Sequence, residues 1–218
     1  MSIVLAVHGS RSRDGQETIA EVAAQVARVS GDDVQVGWVD VLTPTLGEVL
    51  AGLERPVVVP WLVSGGYHLS ADVHDVVGRS GSRAVVTEPL GESPALVTAL
   101  LDRLAEVETT GPVVLAWAGS SVAEARRRVA RTAARLAAVT GRAVEPVALA
   151  SGLERAQRIA ASVTGGAPPV VLSLLLAPGF FYERAKRLGG TITEPVGAHP
   201  AVVEWAARAG AMRLRAAG

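Results

Sequence analysis

The stretch that decides the fold reads Val-Leu-Ala-Val-His-Gly-Ser at Val4–Ser10, and it returns as Val-Leu-Ala-Trp-Ala-Gly-Ser at Val114–Ser120. Two further stretches return in the same order after a similar shift: Val57–Val63 at Val170–Leu176, and Val86–Gly91 at Ile192–Gly197. A repeat that spans half of the 218-residue chain indicates two copies of one structural unit. We therefore predict two lobes, residues 1–108 and residues 113–218.

Within each half, short apolar runs alternate with segments of helical periodicity. Ile3–Val7 is wholly apolar, as in a strand buried on both faces. Apolar residues then recur at helical spacing through Ile19, Val22 and Val26, and Asp14 is the predicted N-cap of that helix. This alternation predicts an α/β fold in which each lobe is a four-stranded parallel sheet flanked by helices, with a cleft between the lobes.

Composition excludes several classes of partner. The formal net charge is zero, which argues against broad binding to nucleic acid. The arginines at 126–128, 131 and 135 are interpreted as a solvated helix face because they recur at helical spacing. Cysteine is absent, which excludes disulfides and thiolate metal sites, and no apolar run approaches the ~20 residues of a membrane span. We expect a cytoplasmic protein without a membrane or nucleic-acid partner.

Two histidines of the first half are predicted to lie at one edge of the sheet. His8 directly follows the first strand, and His68 is placed in the loop after the third strand, preceded by Gly65-Gly66. Right-handed crossovers bring all such loops to the carboxyl edge, where α/β proteins bind ligands. In the second copy Ala118 stands for His8 and Phe181 for His68, so the predicted site belongs to the first half.

The residues alone leave the chemistry of this edge open. An imidazole is a ligand for divalent Fe, Co, Ni or Zn, and it is also a base near neutral pH. Asp40 ends the second strand and is the best local carboxylate, or else a turn former. Ser10 beside His8 suggests a hydrolase only weakly, because no Gly-x-Ser-x-Gly motif surrounds it. Arg11 is either a carboxylate clamp or a solvated charge, and His199 before Pro200 is predicted to cap a helix.

The motifs around both histidines resemble one family. His8-Gly9-Ser10-Arg11 after a buried strand, and Gly66-Tyr67-His68-Leu69 followed by Asp72-Val73, look like the sirohydrochlorin chelatases. These class II chelatases insert iron or cobalt into early tetrapyrroles. The resemblance covers nearly the whole chain, since long members of the family also carry two chelatase-like halves. The second half then resembles a decayed copy that forms one wall of the cleft.

The resemblance implies roles for individual residues. His8 and His68 match the family's two histidines and would be the catalytic residues. The implied metal ligands are His8, His68 and Asp40, although the family often has a longer acidic residue where Asp40 stands. The implied substrate-binding residues are Ser10, Arg11, Gly66 and Tyr67. Leu175, Leu176 and Pro178–Tyr182 are expected to offer the ring an apolar face.

The resemblance also implies the reaction. We expect a lyase that inserts a divalent metal into sirohydrochlorin, with Fe²⁺ for sirohaem ahead of Co²⁺ for cobalamin. No cofactor is expected beyond the metal substrate, because the sequence has neither a P-loop nor a dinucleotide-binding fingerprint. We expect a monomer whose two lobes mimic a dimer of single-lobe chelatases. The alternative is a metal or tetrapyrrole carrier without catalysis, which turnover at substoichiometric protein would distinguish.

Overall fold

The computed structural model describes residues 2–40, 42–63, 67–108 and 111–216, with the backbone alone for residues 67–71, 92 and 211–216. The strands are β1 (Ser2–Val7), β2 (Asp33–Trp38), β3 (Val57–Trp61), β4 (Val85–Val86), β5 (Val113–Trp117), β6 (Val144–Ala148), β7 (Val170–Ser173) and β8 (Thr191–Ile192). The helices are α1 (Arg13–Ser30), α2 (Leu46–Ala51), α3 (Tyr67–Arg79), α4 (Pro94–Ala105), α5 (Ala123–Thr140), α6 (Leu153–Thr164), α7 (Phe180–Lys186) and α8 (Pro200–Ala216).

The strands form two parallel sheets of the same topology. The strand order is β2-β1-β3-β4 in the first sheet and β6-β5-β7-β8 in the second. Val4 pairs with Gln35 and Val58, and its counterpart Val114 pairs with Glu145 and Val171. The α/β fold with two four-stranded parallel sheets, predicted from the sequence, is confirmed.

Alternation along the central strands assigns each side chain to one of two cores. Ile3, Leu5 and Val7 of β1 enter a central core, whereas Val4 and Ala6 pack outward against α2 and α3. The second sheet repeats this arrangement, with α6 and α7 on its outer face. Helices α1, α4, α5 and α8 contribute to the central core together with apolar residues of both sheets.

The central core crosses the boundary between the two halves of the sequence. Helix α8, from the second half, packs against α1 and β3 of the first. Helix α4, from the first half, packs against α5 and β7 of the second as well as against α8. Each half therefore buries its apolar surface partly against the other. The boundary near residues 108–113 stays a prediction about the sequence repeat.

Hydrogen bonds bear out the repeat at matching positions. Thr87 N donates to Val58 O at 2.9 Å, and Thr193 N donates to Val171 O at 3.0 Å. The hydroxyl of each threonine then donates to the carbonyl of the glutamate that follows it. The Thr-Glu-Pro motif therefore performs the same task in both copies, which is to extend the short fourth strand along its neighbour.

Helix ends confirm one cap and correct another. Ser93 before Pro94 is the pair that the sequence predicts as N-cap and first helical residue of α4, and Ser93 accepts from Leu96 N at 3.2 Å. The N-cap of α1 is Ser12, which accepts from Gly15 N at 3.3 Å, and the prediction of Asp14 was wrong. Asp14 lies in the first turn instead, where its charge complements the helix dipole.

The arginine-rich face of α5 is a surface of local ion pairs. Arg127 and Arg131 contact Glu124 at 2.8 and 3.0 Å, and Arg126 donates to the carbonyl of Ser121 at 2.6 Å. The two guanidinium groups hold the pKa of Glu124 at about 2. This agrees with the interpretation of a solvated helix face. In the described part of the chain, no helix is long and apolar enough to cross a membrane.

Candidate active site

Two strand ends bring His8 and Asp40 to the same edge of the first sheet. His8 follows the last residue of β1, and Asp40 stands two residues beyond β2. Val39 N donates to Val7 O at 2.7 Å, so the paired backbone continues past the end of β2. The side chains of His8 and Asp40 are both exposed, and both line the same cavity. This agrees with their expected place at the carboxyl edge.

Ser10 stabilises the turn that leads from β1 into α1. Its hydroxyl accepts from Ser12 N at 3.2 Å, and its carbonyl accepts from Gln16 Nε2 at 2.9 Å. Within the described residues no hydrogen bond joins the Ser10 hydroxyl to His8. A serine nucleophile needs such a contact to a base, so this geometry disfavours the hydrolase hypothesis.

The cavity beside these residues has a volume of about 750 Å³ and is lined by both halves of the chain. From the first half it receives His8, Ser10, Arg11 and Asp40 among mainly apolar neighbours. Trp38 and Trp61, which the sequence motifs do not mark as site residues, also line it. The second half contributes residues 118–122 and 174–182. A volume of this size suits a large organic ligand.

The wall from the second half keeps the backbone of the first copy without its imidazole. Gly9 and Gly119 have φ of 98° and 106°, a conformation that favours glycine. Ser120 accepts from Val122 N at 3.1 Å, as Ser10 does from Ser12. Ala118 accordingly offers a methyl group where the first copy offers His8. Leu175, Leu176 and Pro178–Tyr182, which are expected to offer the ring an apolar face, all line this cavity.

The second histidine motif lies at the start of α3. The backbone of Tyr67 and His68 forms the first turn of this helix, so the expected loop position of His68 was wrong. The helix simply begins one residue before His68. Gly66 lies outside the described residues. Val63, the last described residue before that gap, lines the cavity.

The described residues do not form a complete metal site. Among them, no three His, Cys, Asp or Glu residues are grouped closely enough to hold an ion. The proposed set of His8, His68 and Asp40 includes a side chain outside the described part, so this ligand set stays a prediction. Asp72 lies in α3, four residues beyond His68, and is exposed.

Tyr182 marks the buried end of the apolar wall. Burial and the Glu194 carboxylate raise the pKa of Tyr182 to about 12. Its hydroxyl donates to the carbonyl of Thr193 at 3.3 Å. Tyr182 therefore stays protonated at neutral pH and acts as a fixed part of the wall.

Similarity to known proteins agrees with this geometry. Residues 2–107 match the model of the CbiX family. The first half of the chain is therefore similar to the CbiX family. The chain is 29% identical over 124 residues to a sirohydrochlorin cobaltochelatase of Methanococcoides burtonii, covering 48% of the chain and 95% of that protein. The predicted kinship with the chelatases is confirmed.

Solved structures extend the likeness in fold to the whole chain. The cobalt complex of the sirohydrochlorin chelatase SirB from Bacillus subtilis subspecies spizizenii superposes with a TM-score of 0.72 at 20% identity, covering 98% of this chain and 93% of that one. A CbiX described as the terminal enzyme of siroheme biosynthesis in denitrifying bacteria superposes with a TM-score of 0.72 at 17% identity, covering 100% of both chains. Both likenesses concern the fold.

Proposed function

We propose that this chain is a sirohydrochlorin chelatase that exchanges the two pyrrole protons of the macrocycle for one divalent ion, Fe²⁺ or Co²⁺. The observation that carries the proposal is the cavity lined by both halves, to which the first half contributes His8 and Asp40 and the second half contributes mainly apolar residues. A flat, carboxylate-rich macrocycle needs this combination of an apolar face and polar groups at its edge. The match of residues 2–107 to the CbiX family supports the same reaction.

His8 is suited to carry the metal to the ring. Its side chain is exposed in the cavity, and no hydrogen bond engages its imidazole within the described residues. In the proposed mechanism His8 and His68 hold the ion loosely, since a full set of protein ligands would retain it. Four ring nitrogens then replace the protein ligands and the remaining water.

The departing protons require a base. Each pyrrole N–H loses its proton as the metal–nitrogen bond forms, and the electron pair stays on nitrogen. Asp40 or a histidine accepts the proton and passes it to solvent through the open side of the cavity. Arg11, on the same rim, would pair with a carboxylate of the macrocycle.

Metal insertion at substoichiometric protein tests the proposal. The parent protein should accelerate the change in the absorbance spectrum of sirohydrochlorin with Co²⁺ and, without oxygen, with Fe²⁺. The ratio of the two rates, measured with both ions in competition, would identify the preferred metal. Binding of one equivalent without acceleration would contradict catalysis and favour a carrier.

Single histidine variants test the assigned site. His8→Ala and His68→Ala should each lower the insertion rate by about 10²-fold or more, because each removes a metal ligand or base. His74→Ala is the matched control, since His74 is exposed on α3. Full activity of either His8→Ala or His68→Ala, with the circular dichroism spectrum of the parent, would contradict the site.

A further inference from the structure

A second cavity, which no motif had indicated, lies beside the first on the outer side of the second sheet. It has a volume of about 1240 Å³ and lies between α6 and α7, close to the carboxyl ends of β6 and β7. Four arginines line it: Arg155, Arg158, Arg184 and Arg187. They form two pairs spaced three residues apart, one pair on α6 and one at α7 and its C-cap.

A hydrogen bond holds the two arginine pairs next to each other. Gln157 Nε2 donates to the carbonyl of Arg187 at 2.7 Å, which ties α6 to the end of α7. Ala156 and Ala185, on the opposite sides of these helices, are buried in the outer core of the second sheet. The arginines therefore project from a packed surface, and their positions are set by two anchored helices.

This cavity has more positive charge than its own carboxylates neutralise. Only Glu154 and Glu183 oppose the four guanidinium groups in its lining. Glu183 is engaged by Lys186 at 2.7 Å, and Glu154 lies 3.9 Å from Arg158. Within the described residues, no carboxylate lies within ion-pair distance of the other three arginines of the lining. In a chain of zero net charge, such a local surplus indicates an anionic ligand.

Phe180 connects the second cavity to the first. It lines both cavities, and 70% of its surface is exposed, so its ring is accessible to a ligand. The Arg184 guanidinium lies 5.7 Å from the centre of its ring, and Phe181 packs edge-on at 5.2 Å. A ligand that lies flat on Phe180 in the first cavity therefore extends directly towards the arginines.

We propose that these arginines bind carboxylates at the rim of the macrocycle whose ring occupies the first cavity. This inference rests on the proposed function and specifies how the substrate is oriented. Guanidinium groups pair with carboxylates through two parallel hydrogen bonds, which fixes direction as well as position. With Arg11 on the first-half rim and Arg155 and Arg184 beyond Phe180, the macrocycle is held at two sides.

Binding of a metal-free polycarboxylate porphyrin tests the arginine site directly. Uroporphyrin is titrated into the parent protein, and quenching of tryptophan fluorescence reports binding because Trp38 and Trp61 line the first cavity. For the double variant Arg155→Gln/Arg184→Gln, we expect the Kd to rise about tenfold, with a weaker dependence on salt. Arg135→Gln is the matched control, since Arg135 is exposed on α5 and lines neither cavity.

The two proposals fail in different ways. Suppose that the parent inserts metal. If the double variant then has the Kd for uroporphyrin and the KM for sirohydrochlorin of the parent, the arginine site is overturned and the chelatase proposal stands. Arginine-dependent binding of uroporphyrin by a parent that inserts no metal would uphold the arginine site and overturn the chelatase proposal. Binding of an oligonucleotide that the double variant weakens, together with binding of uroporphyrin that it leaves unchanged, would overturn the choice of ligand.

Discussion

At the level of single residues, the two copies differ most where chemistry is expected. His8 and Ala118 follow matching strands, and each precedes a glycine of positive φ and a serine that stabilises the next turn. The backbone was retained in both copies, while the imidazole is found in one. The carboxyl edge of the first sheet therefore supplies the imidazole and the carboxylate of the cavity, and that of the second supplies a mainly apolar wall.

Gly15 is a point of close approach between the two halves. A Cβ at this position would lie 2.6 Å from the carbonyl oxygen of Pro178 and 3.3 Å from Ser10 Oγ. Gly15→Ala should therefore displace the 174–179 loop and destabilise the protein by about 1–3 kcal/mol, as overpacking does. The free energy of unfolding from urea denaturation checks this.

The matched control for this substitution is Gly47→Ala in α2. There a Cβ would meet only Val76 Cγ1 at 3.8 Å, so alanine should stabilise the helix by about 0.5–1 kcal/mol. If both variants gained stability, the close contact between Gly15 and the Pro178 loop would not be a feature of the folded protein.

At the level of elements, His199 joins the start of α8 to α4. Its Nδ1 accepts from Ala201 N at 3.3 Å, which agrees with the prediction of a helix cap, and its Nε2 lies 3.4 Å from Asp102 Oδ2. The side chain is only 10% exposed. Burial lowers the pKa of His199, although the Asp102 and Glu106 carboxylates oppose this shift. The neutral imidazole, with its proton on Nε2, is the form that caps α8.

This shift predicts a dependence of stability on pH. Since the pKa of His199 in the folded protein lies below the ~6.5 of an unfolded histidine, the unfolded chain binds the proton first as the pH falls. The contribution of His199 is therefore present above about pH 6.5 and is lost as the pH falls through the folded pKa. In urea denaturation across this range, the free energy of unfolding should fall more steeply with decreasing pH for the parent than for His199→Asn.

The control for this prediction is a comparison of His199→Ala with His199→Asn at a pH where the imidazole is neutral. Above the pKa, His199→Ala should cost about 1 kcal/mol through the lost cap, and His199→Asn should cost less because asparagine is also a good N-cap. Equal pH dependence in the parent and His199→Asn would contradict a titrating role. A selective loss of metal insertion in His199→Ala would contradict a purely structural one.

At the level of the whole molecule, the shared central core should make the two halves unfold together. Helices α4 and α8 each pack against elements of the opposite half, so neither sheet is covered without the other half of the chain. We expect a single calorimetric transition whose calorimetric and van't Hoff enthalpies agree. Leu136 is fully buried in the second half, so Leu136→Ala should lower the free energy of unfolding by about 2–5 kcal/mol and shift this one transition to lower temperature. Two separate transitions, with only one shifted by Leu136→Ala, would contradict the shared core.

Local patterns in the sequence determined much of this architecture. The repeat is visible in the sequence itself. Short-range periodicity indicates the alternation of strands and helices, and the handedness of parallel crossovers then places His8 and Asp40 at one edge of the sheet. These features predicted two parallel sheets and the edge on which the cavity lies. The Ser93 cap was equally readable, because it depends on residues within one helical turn.

Only the tertiary structure decided which apolar faces meet. An amphipathic helix specifies that one face is buried and leaves the partner open, so the packing of α8 on the first sheet was not readable from α8 itself. The same limit applies to the site. Arg155 and Arg184 lie 29 residues apart in sequence, and their common cavity exists because α6 and α7 pack side by side on the second sheet. Contacts of this range are set by the packing of the whole chain, whereas strands, turns and caps are set by neighbours in sequence.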